Sequence, residues 1–415
     1  MGVAATNPIR STYLSRTGGT PTRELLTDSV PGFAKLDRKR TGGFYRPELD
    51  VVRFLAFLLV FLMHSLPSGP TPDSSTTGIS KGIMAVLYGC QRVSVFGLSL
   101  FFTLSAYLIC DLLLREREIN GTVLVKQFYI RRILRIWPLY FAGLVLGLVF
   151  SVLLGGRQVT FVWTAWAAIL LGNWFVVFHG IPGNLMFHLW SISVEEQFYL
   201  FAPWAAKALN RIAFSGFSIV LVICANIQLI SLGNNHAPDH VIWYSSFVQF
   251  ENFAAGILLC LLVRSRSAKL SIGMRLSLLV VCASCWYIAS YGFQIHTGGD
   301  AASGSLSLIG GYALIALGCC FLLVAFLDLD KSLLPDWAIS LGRISYGLYV
   351  FHMLSLHVFD NILPHNPMPE SVSAVFRSAT AMGMTILIAS LSYRYFEMPF
   401  LNLKRRHEII ESRPV

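Results

Sequence analysis

Eleven apolar runs, most of them close to twenty residues long, follow one another along this chain of 415 residues. They cover residues 49–66, 92–114, 136–155, 160–179, 189–206, 213–232, 246–264, 274–292, 306–327, 338–357 and 373–395. Charged residues make up only 13% of the chain, whereas soluble proteins carry roughly a quarter. Because about twenty apolar residues in a helix cross a bilayer, the sequence predicts an all-α polytopic membrane protein.

The positions of lysine and arginine set the expected topology, because short loops rich in these residues stay on the cytoplasmic side. Eleven full crossings would place the basic clusters near 207–211, 264–275 and 404–406 outside. Removing one crossing between Gly156 and Lys207 places every cluster inside. We therefore expect about ten transmembrane helices around an internal cavity, with both termini cytoplasmic. An additional re-entrant or interfacial helix would come from either 160–179 or 189–206.

Composition divides the chain into three parts. Residues 1–45 are rich in Thr, Gly, Arg, Pro and Ser, which predicts a flexible cytoplasmic N-terminal tail. Residues 46–403 form the membrane domain, and 404–415 form a basic cytoplasmic tail. The net charge of +10 lies mainly in short loops and tails, so no nucleic-acid partner is expected. The eight cysteines are scattered, and the sequence contains no recognisable metal-binding motif.

Arg53 and His64 lie in the first apolar run, where lipid offers neither water nor a counter-charge. Eleven residues of helix amount to three turns plus about 20°, so both side chains share one face, about 16 Å apart. Such residues at membrane depth indicate a functional site. The alternative is that Arg53 snorkels to the headgroups and His64 caps the far end of the helix.

A second polar segment runs from His188 to Tyr199. Ser191, Glu195 and Tyr199 recur every four residues and therefore form one stripe on a helix. A carboxylate at the depth of His64 would orient its ring and stabilise the imidazolium, as in a histidine general base. A pair of glutamates at a helix end on the membrane surface is the other interpretation.

Arginines cluster just before Pro138, at Arg131, Arg132 and Arg135. Guanidinium groups on adjacent turns suit bidentate binding of phosphates. Contact with anionic lipid headgroups would explain the same pattern.

The tenth apolar run carries a polar stripe of Ser345, Tyr349 and His352. Such stripes line cavities for hydroxylated ligands, although hydrogen bonds between helices would also account for them. Ser105 and Ala106, in the second run, are small residues that we expect to serve close packing.

Together these residues resemble the bacterial acyltransferase-3 family of integral membrane O-acyltransferases, from about Tyr45 to Leu403. Ala106 departs from the glycine usual in the family, which bears on local packing only. The resemblance rests on six segments in order, namely the R-x10-H spacing of Arg53 and His64, Phe101–Ile109, the RxxR of Arg132 and Arg135, Leu189–Tyr199, Ile344–His352 and Glu397–Pro399.

The family resemblance implies transfer of an acyl group, most often acetyl, from cytoplasmic acyl-CoA to a hydroxyl group. The acceptor would be a sugar, a surface glycan or a glycosylated metabolite at the bacterial inner membrane. Acyl-CoA is then a co-substrate, and no permanently bound cofactor is expected. His64 would be the general base, Glu195 would orient its ring and Arg53 would attract the donor. The remaining expected contacts are Arg131, Arg132 and Arg135 for the donor, and Ser191, Tyr199, Tyr349 and His352 for the acceptor.

Several alternatives stay open at this point. Direct transfer and an acyl-histidine intermediate use the same residues. A transporter or flippase of anionic lipid-linked glycans would also explain buried charges and a basic inner mouth. The sequence does not give the acceptor or the oligomeric state.

The topology is testable with a reporter enzyme fused after Val415. If both termini are cytoplasmic, the fusion should be active with a reporter enzyme that functions in the cytoplasm and inactive with one that functions in the periplasm. Periplasmic activity of the same fusion would refute the count of about ten crossings.

Overall fold

The computed structural model describes residues 45–67, 78–153, 158–264, 269–295, 304–362, 370–408 and 410. The expected N-terminal tail therefore lies outside the described residues, apart from Tyr45. Every regular element in the described part is helical, as predicted. The α-helices are α1 Pro47–Ser65, α2 Gly78–Ser94, α3 Gly97–Asn120, α4 Val125–Leu153, α5 Gln158–Ala168, α6 Gly172–His179, α7 Trp190–Ala208, α8 Arg211–Asn234, α9 Asp239–Tyr244, α10 Ser246–Val263, α11 Ile272–Tyr287, α12 Ser305–Phe326, α13 Asp336–Arg343, α14 Ser345–Ile362, α15 Glu370–Ser392 and α16 Met398–Arg405.

Seven helical stretches within the described ranges are long and apolar enough to cross a membrane, so the chain is a multi-pass membrane protein. Helices α1 and α7 (19 residues each) and α14 (18 residues) are not among them, although each is about 27 Å or more in length. All three carry polar side chains. The count of about ten crossings therefore stays a prediction. The seven stretches are Lys81–Asn120, Val125–Leu153, Arg211–Asn234, Ser246–Val263, Ile272–Gly292, Ser305–Phe326 and Val372–Arg405.

The run 160–179 does not form one helix. It is divided between α5 and α6, which have 11 and 8 residues, and Leu170 between them has a left-handed backbone with φ of 61°. Helices of these lengths extend about 16 and 12 Å, well short of the roughly 30 Å of a hydrocarbon core. The run 189–206 forms the longer α7. Of the two candidates for the non-crossing segment, the structure therefore favours 160–179.

The sequence did not predict α2 as a separate helix. The expected run at 92–114 instead corresponds to α3, which begins at Gly97 after a turn. Three polar side chains lower the mean hydropathy of α2, namely those of Lys81, Gln91 and Arg92. Two of them donate hydrogen bonds to backbone carbonyls of neighbouring helices. Gln91 donates to the Met63 carbonyl at 3.2 Å, and Arg92 donates to the Ser290 carbonyl at 2.8 Å.

Close approaches between backbones hold α1, α3 and α10 together. Helix α3 packs against both α1 and α10, while α13 and α14 cover other faces of α1. A Cβ at Gly256 of α10 would meet the Thr103 carbonyl oxygen, and one at Gly342 of α13 would meet the Asp50 carbonyl oxygen. Glycine at such contacts lets membrane helices pack tightly. Gly256 also faces the methyl group of Ala106, so the glycine opposite accommodates the departure from the family pattern.

The first and last described residues, Tyr45 and Ile410, line the same cavity. Arg131 of α4 donates to the His407 carbonyl at 3.2 Å and forms a 2.7 Å ion pair with Glu116 of α3. Glu116 also accepts the Leu124 N–H at 2.7 Å. This buried carboxylate therefore connects α3, the α3–α4 turn and, through Arg131, the C-terminal segment.

We expect Glu116→Ala to lower the free energy of unfolding by about 3–5 kcal/mol, because it leaves the Arg131 guanidinium buried without its carboxylate. The matched control is Glu118→Ala, two residues along the same helix. Its carboxylate forms a 2.6 Å ion pair with Arg264 but is 63% exposed, so its loss should change stability by about 1 kcal/mol or less. Denaturant unfolding of the detergent-purified variants measures both. Equal losses would contradict a structural role for Glu116.

Candidate active site

A cavity of about 170 Å³ opens between α1, α3, α4, α7, α14 and α16. Its walls carry both apolar and polar groups, and many of the latter are the polar residues that the sequence singles out. The basic residues in its lining are Arg46, Arg53, Arg131, Arg132, Arg135 and Lys404, and the acidic residues are Asp50, Glu116, Glu195 and Glu408.

Arg53 faces this cavity. Asp50, one turn earlier on α1, is fully buried and forms a 2.6 Å ion pair with Arg53. The Tyr45 hydroxyl donates to the other Asp50 oxygen at 2.9 Å. Arg53 therefore does not snorkel away from the protein. The i, i+3 spacing of Asp50 and Arg53 was visible in the sequence and would have identified this partner.

The three arginines of α4 all line the cavity but have different surroundings. Arg131 is held by Glu116 and the His407 carbonyl. The Arg132 guanidinium lies over the Phe128 and Tyr199 rings at 5.6 and 5.3 Å, and its buried Nε has no hydrogen-bond partner among the described residues. Arg132 is thus better placed than Arg131 to bind an added anion, since its buried Nε is not engaged by any described residue.

The predicted stripe of α7 forms one wall of the cavity. Tyr199 lies beside Arg132, and its hydroxyl donates to Glu195 one turn away. At the other end of the stripe, the Ser191 hydroxyl hydrogen-bonds the Tyr349 hydroxyl at 2.6 Å. Polar groups therefore follow the cavity wall for about 12 Å, from the arginines to α14.

Ser105 of α3 was expected to serve close packing, and that expectation is wrong for its side chain. The Ser105 hydroxyl lines the cavity, donates to Glu195 and lies next to the Tyr199 hydroxyl. Hydropathy alone gave no signal for this role, because serine is equally common at tight contacts between membrane helices.

His64 does not contact Glu195, contrary to expectation. Its Nδ1 lies 2.9 Å from the Val60 carbonyl oxygen and 3.3 Å from Nε2 of His352. Glu195 bonds Ser105 and Tyr199 instead. His64 and His188 both pack against His352. His188 precedes Glu195 by seven residues, or about 10 Å of helix, so the carboxylate lies farther along α7. The expected orientation of the His64 ring by Glu195 is therefore not found.

Three histidines cluster at the end of the cavity where Tyr349 lies. His352 is fully buried, and its ring centroid is 5.1 Å from that of His64 and 4.7 Å from that of His188. Both His352 and His188 hydrogen-bond the Tyr349 carbonyl, at 2.6 and 3.1 Å. Tyr349 itself lines the cavity and donates its hydroxyl to the His188 carbonyl at 2.7 Å.

His188 was not among the expected site residues, although the polar segment 188–199 begins with it. His64, for its part, is not in the lining of the cavity. It contacts His352, which bonds the carbonyl of the lining residue Tyr349. Among the described residues no group of three histidine, cysteine or acidic side chains is arranged to hold a metal ion.

Several proteins whose names state an activity are similar in sequence to this chain. The chain is 25% identical over 403 residues to the peptidoglycan O-acetyltransferase OatA of Listeria monocytogenes. This alignment covers 87% of the chain and 57% of OatA. It is 24% identical over 404 residues to a Staphylococcus aureus protein named "Putative O-acetyltransferase SAS0844". That alignment covers 90% of this chain and 59% of the relative.

A Bacillus subtilis protein named "Putative peptidoglycan O-acetyltransferase YrhL" is 26% identical over 336 residues, covering 73% of this chain and 50% of the relative. The chain thus spans between half and three-fifths of the length of these curated relatives. No solved structure matches it.

The model of acyltransferase family 3, described as "Acyltransferase domain", matches residues 46–394, which is most of the chain. That match agrees with the order of motifs along α1, α3, α4, α7 and α14. The protein belongs to the acyltransferase-3 family.

Proposed function

We propose that this protein is a membrane-embedded O-acetyltransferase that moves an acetyl group from cytoplasmic acetyl-CoA to a hydroxyl of an envelope glycan. The observation that carries the proposal is the cavity that runs from the α4 arginines along the α7 stripe to Tyr349. Next to this end, His352 bonds the Tyr349 carbonyl and contacts His64. One wall therefore connects a site for phosphates with a site for proton transfer.

The donor would bind with its phosphates at the basic end of the cavity. Arg132 and Arg135 are the main candidates, and Arg53 adds positive charge on the opposite helix. Arg131 would contribute through its charge while remaining paired with Glu116. This end also holds the first and last described residues, so a cytoplasmic donor agrees with the proposed cytoplasmic location of both termini in a bacterial inner membrane.

The length of the site suits a donor that is charged at one end and reactive at the other. Arg53 and His64 are separated by about 16 Å along α1. Coenzyme A carries its phosphates and its thioester at opposite ends of a long, narrow arm. The Phe101 and Tyr349 rings, with centroids 6.0 Å apart, lie at the end of the cavity nearest to His352. These rings would have to move aside for the thioester to bind there.

In the proposed reaction, His64 acts as a general base. Its Nε2 takes the proton of the acceptor hydroxyl as that oxygen attacks the thioester carbonyl. The new C–O bond forms, the C–S bond breaks, and the leaving thiolate takes the proton from the imidazolium. An acyl-histidine intermediate would use the same nitrogen as nucleophile, with the acceptor entering in a second step.

The remaining polar residues would shape the acceptor end. Ser191, Tyr199 and Tyr349 line the cavity and present hydroxyl groups of the kind that bind sugars. Glu195 would hold Ser105 and Tyr199 in position rather than orient His64. A glycan acceptor is supported by the named activity of OatA, whose acceptor is peptidoglycan.

His64→Ala should abolish O-acetylation, with a loss of 10²-fold or more in rate, while acetyl-CoA binding survives. The measurement is base-labile acetate in envelope glycans of cells that express each variant, together with acetyl-CoA binding by the purified protein. His179→Ala is the matched control, since its Nδ1 also contacts the carbonyl four residues earlier, at 3.3 Å, but lies outside the cluster. Retained acetylation in His64→Ala would refute the proposed base.

Arg132→Ala should weaken acetyl-CoA binding by about 10-fold or more, because charge-assisted bonds to phosphate contribute roughly 1.5–3 kcal/mol each. Calorimetric titration with acetyl-CoA measures the change. Arg405→Ala removes a positive charge near the same end from an exposed residue that does not line the cavity, and should leave binding nearly unchanged. Equal effects of the two variants would mean that only the overall charge matters.

A further inference from the structure

His352 belongs to the predicted acceptor stripe of α14, yet its side chain does not line the cavity. It is fully buried and lies between His64 and His188. The Phe57 ring packs against it edge to face, with centroids 6.1 Å apart. These contacts fix the plane of the His352 ring and point its Nε2 at His64.

The hydrogen bonds of the two rings define where their protons are. A carbonyl oxygen only accepts, so His352 must carry a proton on Nδ1 to bond the Tyr349 carbonyl at 2.6 Å. In the neutral ring, Nε2 of His352 is then an acceptor. His64 likewise needs a proton on Nδ1 to bond the Val60 carbonyl at 2.9 Å.

These two assignments agree with each other. The proton on Nδ1 of His64 then has two acceptors within reach, the Val60 carbonyl oxygen at 2.9 Å and Nε2 of His352 at 3.3 Å. One donor is thus shared by two acceptors. The consequence is that Nε2 of His64 carries no proton, which leaves it as the basic nitrogen of the ring.

We propose that His352 is a positioning residue that fixes the ring orientation and tautomer of His64 for catalysis. The inference rests on the proposed role of His64 as general base. His352 would take the place that a carboxylate holds in a Ser-His-Asp triad. When His64 accepts a proton on Nε2, its Nδ1–H remains bonded to His352 and Val60, and the positive charge is stabilised by both.

A neutral partner suits this location. A carboxylate at the position of His352 would be a buried charge whenever His64 is neutral, and unpaired buried charges are strongly destabilising. An imidazole accepts the same hydrogen bond without adding charge to the resting enzyme. Glu195, on the cavity wall, is hydrogen-bonded to Ser105 and Tyr199 and does not contact His64.

The test compares His352→Leu with His352→Gln, whose amide oxygen can replace the accepting nitrogen. Steady-state rates are measured in detergent from free CoA released from acetyl-CoA, with the glycan fraction that the wild-type protein acetylates as acceptor. His352→Leu should lower kcat on the order of 10- to 100-fold with both KM values nearly unchanged. His352→Gln should recover most of the lost rate.

Ser355→Ala is the control for disturbance of α14. Ser355 is also buried, and its hydroxyl donates to the Phe351 carbonyl one turn earlier in the same helix. Its removal should leave kcat and both KM values at wild-type levels. If His352→Leu does not fold, His352→Met replaces it as the apolar variant, and its rate is compared with that of His352→Gln in the same way.

Two outcomes would overturn the inference. A raised KM for the glycan with unchanged kcat would make His352 an acceptor contact instead. Equal rates for the Gln and apolar variants would show that no accepting atom is needed at this position. Failure of the proposed function has a different signature, because His64→Ala would then remain active whatever the His352 variants do.

Discussion

Polar groups inside an apolar bundle must find partners in the protein, because lipid supplies none. Asp50 shows this constraint most clearly. It is fully buried on α1, pairs with Arg53, and accepts a hydrogen bond from Tyr45. The Gly342 backbone of α13 packs directly against it. An unpaired charge at this depth would be strongly destabilising, so the start of α1 has little freedom to shift.

The same constraint arranges the helices around the cavity. Glu195 of α7 is satisfied by Ser105 of α3, and Ser191 of α7 by Tyr349 of α14. Each hydrogen bond connects two helices and turns their polar faces toward a common space. The cavity is therefore where these helices place the side chains that cannot face lipid, and its polarity follows from their pairing.

Helical periodicity let the sequence predict which residues share a face, but not which helix lies opposite. The stripe of Ser191, Glu195 and Tyr199 and the inward position of Arg53 follow from spacing within one helix. The partner of His64 depends on the relative depth of α1, α7 and α14, which the sequence does not encode locally. The break at Leu170 is similar, because a left-handed non-glycine residue leaves no sequence signal.

Tyr349 connects the cavity with the histidine cluster. Its hydroxyl bonds Ser191 and the His188 carbonyl at the cavity wall, while its own carbonyl accepts from His188 and His352. Rotation of α14 about its axis would therefore disturb both sets of bonds at once. Because His352 in turn contacts His64, the shape of the cavity end and the orientation of the proposed base are set by the same turn of one helix.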